Sequence, residues 1–114
     1  MVGLGQSEDV FSAIAAPSRR AMLRMLAGRE VPVMELAESF EMTLSAVSQH
    51  LTILKQAGLV TVRKDGRQRL YQLNPEPLRE VSKWLDFYEP FWTDKLGRLG
   101  QYLDEKREQT VETP

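Results

Sequence analysis

The sequence predicts a mainly α-helical domain with one small β-hairpin, in the order α-α-α-α-β-β-α. Three observations carry this. Apolar residues recur at helical spacing through four short segments before Gly58. Two strand-like runs, Val60 to Lys64 and Arg67 to Leu73, flank Asp65-Gly66, a dipeptide suited to a two-residue hairpin turn. A long helical pattern then runs from Pro77 to about Glu105, rich in aromatic residues and interrupted at Pro90.

The first helix is expected from about Ser7 to Ala15, with Val10, Phe11 and Ile14 on one side. Pro17 suits the first turn of a second helix, where its missing N–H is not needed. That helix turns Met22, Leu23 and Leu26 inward and stops at Gly28. Val33, Leu36, Ala37 and Phe40 mark a short third helix after Pro32. In the fourth, Thr43 is placed to cap the start and Val47, Leu51 and Leu54 form the buried stripe. Gly58 provides the left-handed residue that ends it, with Leu59 folding back onto Leu54. Only Glu41 and Met42 separate the third helix from the Thr43 cap. Two short helices joined so tightly cross steeply, which is a helix-turn-helix, and the hairpin after it makes the winged form.

Adjacent Leu70 and Tyr71 break the alternation of the second strand, so the turn is better specified than the register. Pro90 removes a backbone hydrogen bond and crowds the preceding turn, and a kink is expected there rather than a split into two helices.

A chain of 114 residues holds one core, here residues 7–105, with loose tails at 1–6 and 106–114. Cysteine is absent, which excludes disulfides and thiolate metal sites. A single histidine, His50, argues against a zinc site within one chain, and no metal or cofactor is expected. The start has no secretory pattern, and no run approaches the roughly 20 apolar residues of a membrane span, so a cytoplasmic protein is expected.

The net charge of −1 hides an uneven distribution. Between Thr43 and Leu73, Lys55, Arg63, Lys64, Arg67 and Arg69 face only Asp65, whereas acids dominate from Glu76 onward. A basic middle and an acidic end suit a local anionic partner. Opposite its buried stripe the fourth helix carries Ser45, Gln49, Thr52 and Gln56, flanked by Ala46, Ser48 and His50, with no acid among them. A solvated face more often carries Glu–Lys pairs, whereas this one suits the major groove of duplex DNA. Gln49 is a candidate for paired bonds to adenine, and Ala46 for a thymine methyl. His50 sits nearer the buried edge, where a structural hydrogen bond and a phosphate contact are equally compatible with the spacing. Arg63, Lys64, Arg67 and Arg69 surround the hairpin tip, which would reach a minor groove, or else protect an exposed strand edge. Arg19, Arg20 and Lys55 are candidate phosphate contacts.

Trp84, Phe87, Tyr88, Phe91, Trp92, Leu96, Leu99 and Leu103 form a stripe larger than a core this small has room to cover. Together with Val10, Phe11 and Ile14 of the first helix they are expected to join two copies into a homodimer.

Phe11 to Arg20, Val33 to Glu38, Ala46 to Val60 and the wing Lys64 to Leu73 together resemble the ArsR-type (arsenic-repressor) winged-helix regulators. The resemblance covers roughly Phe11 to Leu78. It implies a homodimer, joined through its first and last helices, that represses transcription from an inverted-repeat operator. Metal-sensing members carry a cysteine motif in the third helix or Asp/His/Glu ligands in the last. Here the third helix reads Met34-Glu35-Leu36 and the last has no histidine. The pattern resembles a metal-independent branch whose members often repress their own genes, although Pro90 departs from it. A repressor released by a small organic effector near the aromatic stripe, and a winged-helix protein-interaction module, are the rival readings. An enzyme is disfavoured: there is no cysteine nucleophile, the lone histidine sits on the fourth helix, and no Gly-rich phosphate loop or metal constellation is present.

Overall fold

A computed structural model of the chain describes residues 9–95. The expected tails and the stripe positions Leu96, Leu99 and Leu103 lie outside these residues. The elements are α1 (Val10–Ala13), α2 (Pro17–Leu26), β1 (Val31–Pro32), α3 (Val33–Phe40), α4 (Leu44–Gln56), β2 (Val60–Asp65), β3 (Gln68–Leu73), α5 (Leu78–Asp86) and α6 (Glu89–Lys95). Mostly helical with a small antiparallel sheet, this is the winged-helix architecture anticipated above.

Four details correct the sequence reading. The first helix is shorter than Ser7 to Ala15. The Asp9 carboxylate accepts the Ser12 N–H at 2.8 Å and so sets its start just before Val10. It ends at Ala13 because Pro17 forces Ala16 into an extended conformation (φ −88°, ψ 128°) before α2 begins.

The sheet has a third strand. Val31 pairs with Tyr71 and Pro32 with Leu70, giving the order β1-β3-β2. Two residues are too few to leave a periodic signature. Their effect is nonetheless large, because β3 becomes the central strand. Leu70 and Tyr71 point to opposite faces, and each finds cover, Leu70 buried and Tyr71 packed at the core margin.

The hairpin turn lies one residue later than expected. Asp65 pairs with Gln68, so Gly66 and Arg67 are the central residues. Gly66 has φ 67°, and Glu41 is the only non-glycine with positive φ among the described residues. Left-handed backbone is therefore needed only at the first central position, the pattern of a type II′ turn with glycine first.

Finally, Pro90 splits the last helix. α5 stops at Asp86 and α6 starts at Glu89, placing Pro90 in a first turn where no amide hydrogen is required. Tyr88 bridges the break, its N–H donating to Leu85 O at 2.9 Å and its carbonyl accepting from Phe91 N–H at 3.0 Å.

The described residues group into two compact units that divide between Val81 and Ser82. In the first, Met22, Leu26, Val31, Leu36, Val47, Leu51, Leu54 and Leu59 form the fully buried centre. Each contributes roughly 1.5–3 kcal/mol by burial, and together they hold α2, α3 and α4 around the sheet. Val10 is already buried within the single chain, while Phe11 and Ile14 are half-buried at the core margin. The second unit carries an exposed aromatic cluster. Phe87 meets Tyr88 edge-on at 5.0 Å between ring centroids, Trp84 meets Tyr88 at 5.2 Å, and Phe87 meets Phe91 at 6.0 Å. Exposure in this cluster runs from 37% at Tyr88 to 67% at Phe87, with Phe91 and Trp92 between.

Candidate nucleic-acid interface

The fourth helix is fixed at both ends by local chemistry. Thr43 Oγ1 accepts the Ala46 N–H at 3.1 Å at the start. At the end Gly58 adopts φ 79°, Leu59 N–H reaches Leu54 O at 2.9 Å and Gly58 N–H reaches Lys55 O at 2.9 Å. That pair of bonds is a Schellman closure, and Leu59 is buried with Leu54 as its hydrophobic part requires. Val47, Leu51 and Leu54 face the core. On the opposite side Ser45, Ser48, Gln49, Thr52 and Lys55 are exposed, with Ala46 and His50 half-buried at the margins. The Thr52 hydroxyl donates to Ser48 O at 2.9 Å, leaving its lone pairs as acceptors on the surface.

The preceding helix ends by the same closure with a different residue. Glu41 takes φ 53°, its N–H reaches Glu38 O at 3.3 Å, and Met42 N–H reaches Ala37 O at 3.1 Å. A side chain in this conformation is strained, so the turn between α3 and α4 is held by its hydrogen bonds rather than by residue preference.

The hairpin is tied to α4 by Asn74, a residue the sequence reading passed over. Its N–H reaches Leu59 O and its side-chain amide reaches Gly58 O, both at 2.8 Å. One asparagine after a strand carries no signal of that role; only the fold brings it to the end of α4.

The hairpin's cations are not equivalent. Arg63 makes two hydrogen bonds to the Glu30 carboxylate, at 2.6 and 2.9 Å. The Arg63 hydrogen bond holds the Glu30 carboxyl below the usual range, and in return Glu30 raises the Arg63 guanidinium. Lys64 and Arg69 face each other across the ladder, both exposed, and Arg67 occupies the turn. Like charges placed opposite each other are unfavourable, yet none of Lys64, Arg67 and Arg69 has an ion-pair partner among the described residues.

Arg19 and Arg20 have structural partners. Arg20 Nη1 donates to Ile14 O at 2.8 Å and Ala15 O at 3.2 Å. Arg19 Nε donates to Ala13 O at 2.7 Å, Nη2 to Ser12 O at 3.3 Å, and Nη1 lies 3.3 Å from His50 Nδ1. Both therefore cap the carbonyl end of α1, and His50 has a hydrogen bond within the chain. No group of three or more His, Cys, Asp or Glu positioned for a metal occurs among the described residues, and no described helix is long and apolar enough to cross a membrane.

A helix-turn-helix whose second helix exposes an acid-free polar face, followed by a basic hairpin, defines a winged-helix nucleic-acid-binding protein. Comparison with known proteins narrows the class. Residues 16–62 match the bacterial regulatory protein family arsR. The HTH-type transcriptional regulator Rv2034 of Mycobacterium tuberculosis is 39% identical over 103 residues, 90% of this chain and 94% of that protein. The transcriptional repressor SdpR of Bacillus subtilis is 35% identical over 77 residues, 68% of this chain and 86% of that one. A crystal structure of an ArsR family transcriptional regulator superimposes with a TM-score of 0.65 at 34% identity, covering 75% of this chain and 88% of that chain. The chain belongs to the ArsR family: it is a DNA-binding transcriptional regulator and not an enzyme.

Proposed function

We propose that this regulator is a sequence-specific repressor that binds an inverted-repeat operator near its own gene as a homodimer. The carrying observation is the exposed face of α4, where Ser45, Ser48, Gln49 and Thr52 offer hydrogen-bonding groups and no carboxylate. In this reading α4 lies in the major groove, Gln49 bonds a base edge and Ala46 meets a thymine methyl. The turn at Gly66-Arg67 reaches the neighbouring minor groove, with Lys64, Arg67 and Arg69 as its cations. Lys55, at the last turn of α4, adds a phosphate contact. The exposed aromatics Trp84, Phe87, Tyr88, Phe91 and Trp92 form the surface that joins the two copies, and Phe11 and Ile14 of the first helix are separate candidate contacts to the partner.

Repression is supported by the similarity to the Bacillus relative, a transcriptional repressor. Regulation without a metal effector is supported by the sequence itself, which has no cysteine and a single histidine, on α4.

The test is titration of purified protein against its own promoter and against random duplex, across a salt series. The expected result is a preference for the promoter and a linear fall of log affinity with log salt. Half-sites are expected about one helical turn apart. Equal affinity for the two duplexes at low salt rejects the proposal.

A further inference from the structure

One side chain links the first helix to α4. Arg19 places Nε on Ala13 O at 2.7 Å and Nη2 on Ser12 O at 3.3 Å, which leaves Nη1 for His50 Nδ1 at 3.3 Å. A guanidinium has donors and no acceptor, so Nδ1 of the ring is the acceptor in this contact. A neutral imidazole that accepts at Nδ1 carries its hydrogen on Nε2. Nε2 has no hydrogen-bond partner among the described residues. Since no buried side-chain nitrogen or oxygen there lacks a partner, it is open to solvent.

We infer that Arg19 sets His50 in the Nε2–H tautomer, and that this N–H donates to a phosphate oxygen of bound duplex at the flank of α4. The inference rests on the reading that α4 docks on DNA. His50 directly follows Gln49 and sits at the half-buried margin of the reading face. Its ring is held from behind by a guanidinium that is itself held by two carbonyls. A lysine on a flexible stem attracts phosphate from many directions. A clamped neutral N–H accepts only one placement of the backbone, and so fixes how far along the groove the helix sits. Arg19 is thus a positioning residue, acting on DNA through His50.

His50 is the only histidine, so its ring nitrogens are the only imidazole signals in the ¹⁵N-labelled protein. Long-range ¹H–¹⁵N correlation in mildly alkaline buffer is expected to show Nδ1 unprotonated and Nε2 protonated, with the Nε2–H signal shifting on addition of promoter duplex. His50→Ala is expected to weaken promoter binding about tenfold, the loss of one hydrogen bond to a charged group. The slope of log affinity against log salt stays unchanged, because a neutral donor releases no counterion. His50→Gln, whose amide nitrogen reaches the position of Nε2, recovers most of the affinity; His50→Asn, which reaches only that of Nδ1, does not. Arg19→Gln is expected to bring the other tautomer into the spectrum.

A ring protonated at Nδ1 in the wild-type spectrum overturns the inference. So does His50→Ala binding as tightly as wild type while Gln49→Ala binds weakly, an outcome that leaves the DNA-reading face standing. Loss of promoter preference in the wild type itself rejects the function proposed above and the phosphate contact with it.

Discussion

Glu41 and Gly58 end the two helices of the helix-turn-helix in the same left-handed conformation, with φ of 53° and 79°. At each, the residue's own N–H reaches back three positions, and the next residue's N–H reaches back five. Glycine takes this conformation freely, whereas glutamate does so against the crowding of its Cβ.

Opposite responses to substitution are therefore expected at the two sites. Glu41→Gly is expected to stabilise the fold by about 0.5–1 kcal/mol, relief of strain being offset in part by the greater freedom of glycine in the unfolded chain. Gly58→Ala is expected to destabilise by about 1–2 kcal/mol. A Cβ at Gly58 would meet Pro77 Cγ at 3.5 Å, an ordinary contact, so the loss is conformational and not steric. Urea denaturation measures both; equal signs would contradict the account.

The Glu30–Arg63 pair makes a small part of the stability acid-dependent. Glu30 has its folded pKa lowered from an ordinary 4.5 by the Arg63 hydrogen bond, so its contribution is complete above that value and is lost as pH falls through the folded one. Glu30→Gln is therefore expected to be slightly less stable than wild type at neutral pH, with the gap closing on acidification. The effect is small because the pair faces solvent. Thermal melts of both proteins from neutral pH downward measure it, and a gap independent of pH excludes the pair as its source.

Base reading is separable from stability on α4. Gln49→Ala is expected to cost about 1–3 kcal/mol of promoter affinity and to relax preference at one base position. Its melting temperature should hardly change, because Gln49 is exposed and outside the core. A fall in stability without a change in sequence preference would assign Gln49 to packing.

Wing cations act differently. Arg67→Ala is expected to weaken binding to all duplexes and to reduce the salt slope by about 1, the signature of one cation lost from the duplex. Arg63→Ala should instead lower stability through Glu30, which loses its partner. Identical salt slopes for Arg67→Ala and wild type would take the turn off the DNA.

Phe91→Asp tests the aromatic surface. Phe91 is half exposed in the single chain, so the carboxylate is tolerated there, but it is not tolerated in an apolar joint between copies. Light scattering is expected to show dimers for wild type and monomers for the variant, with promoter affinity falling accordingly. A dimeric Phe91→Asp protein places the joint elsewhere.

The elements most legible in the sequence were those whose cause lies within a turn of chain. Thr43 caps α4 through its own hydroxyl, and Gly58 closes it through its own φ. The two residues between α3 and the Thr43 cap force a tight crossing. Less legible were the outcomes of competition between neighbours. Asp65-Gly66 was a sound hairpin signal, yet the pairing of Asp65 with Gln68 moved the turn to Gly66-Arg67. Pro90 was a sound break signal, and the chain relieved it fully by placing the proline in a new first turn.

What sequence alone determined, then, is the run of short helices, the hairpin and the polar, acid-free face of α4, since hydrophobic period, caps and turn residues act over a few residues. Tertiary structure decided which charged groups remain for a partner. Arg63 finds Glu30 across 33 positions, Arg19 finds His50 across 31, and Val31 finds Tyr71 to make β3 a central strand. Nothing local encodes such meetings. They exist because packing the core brings distant backbone together, and a long polar side chain takes the partner it finds there.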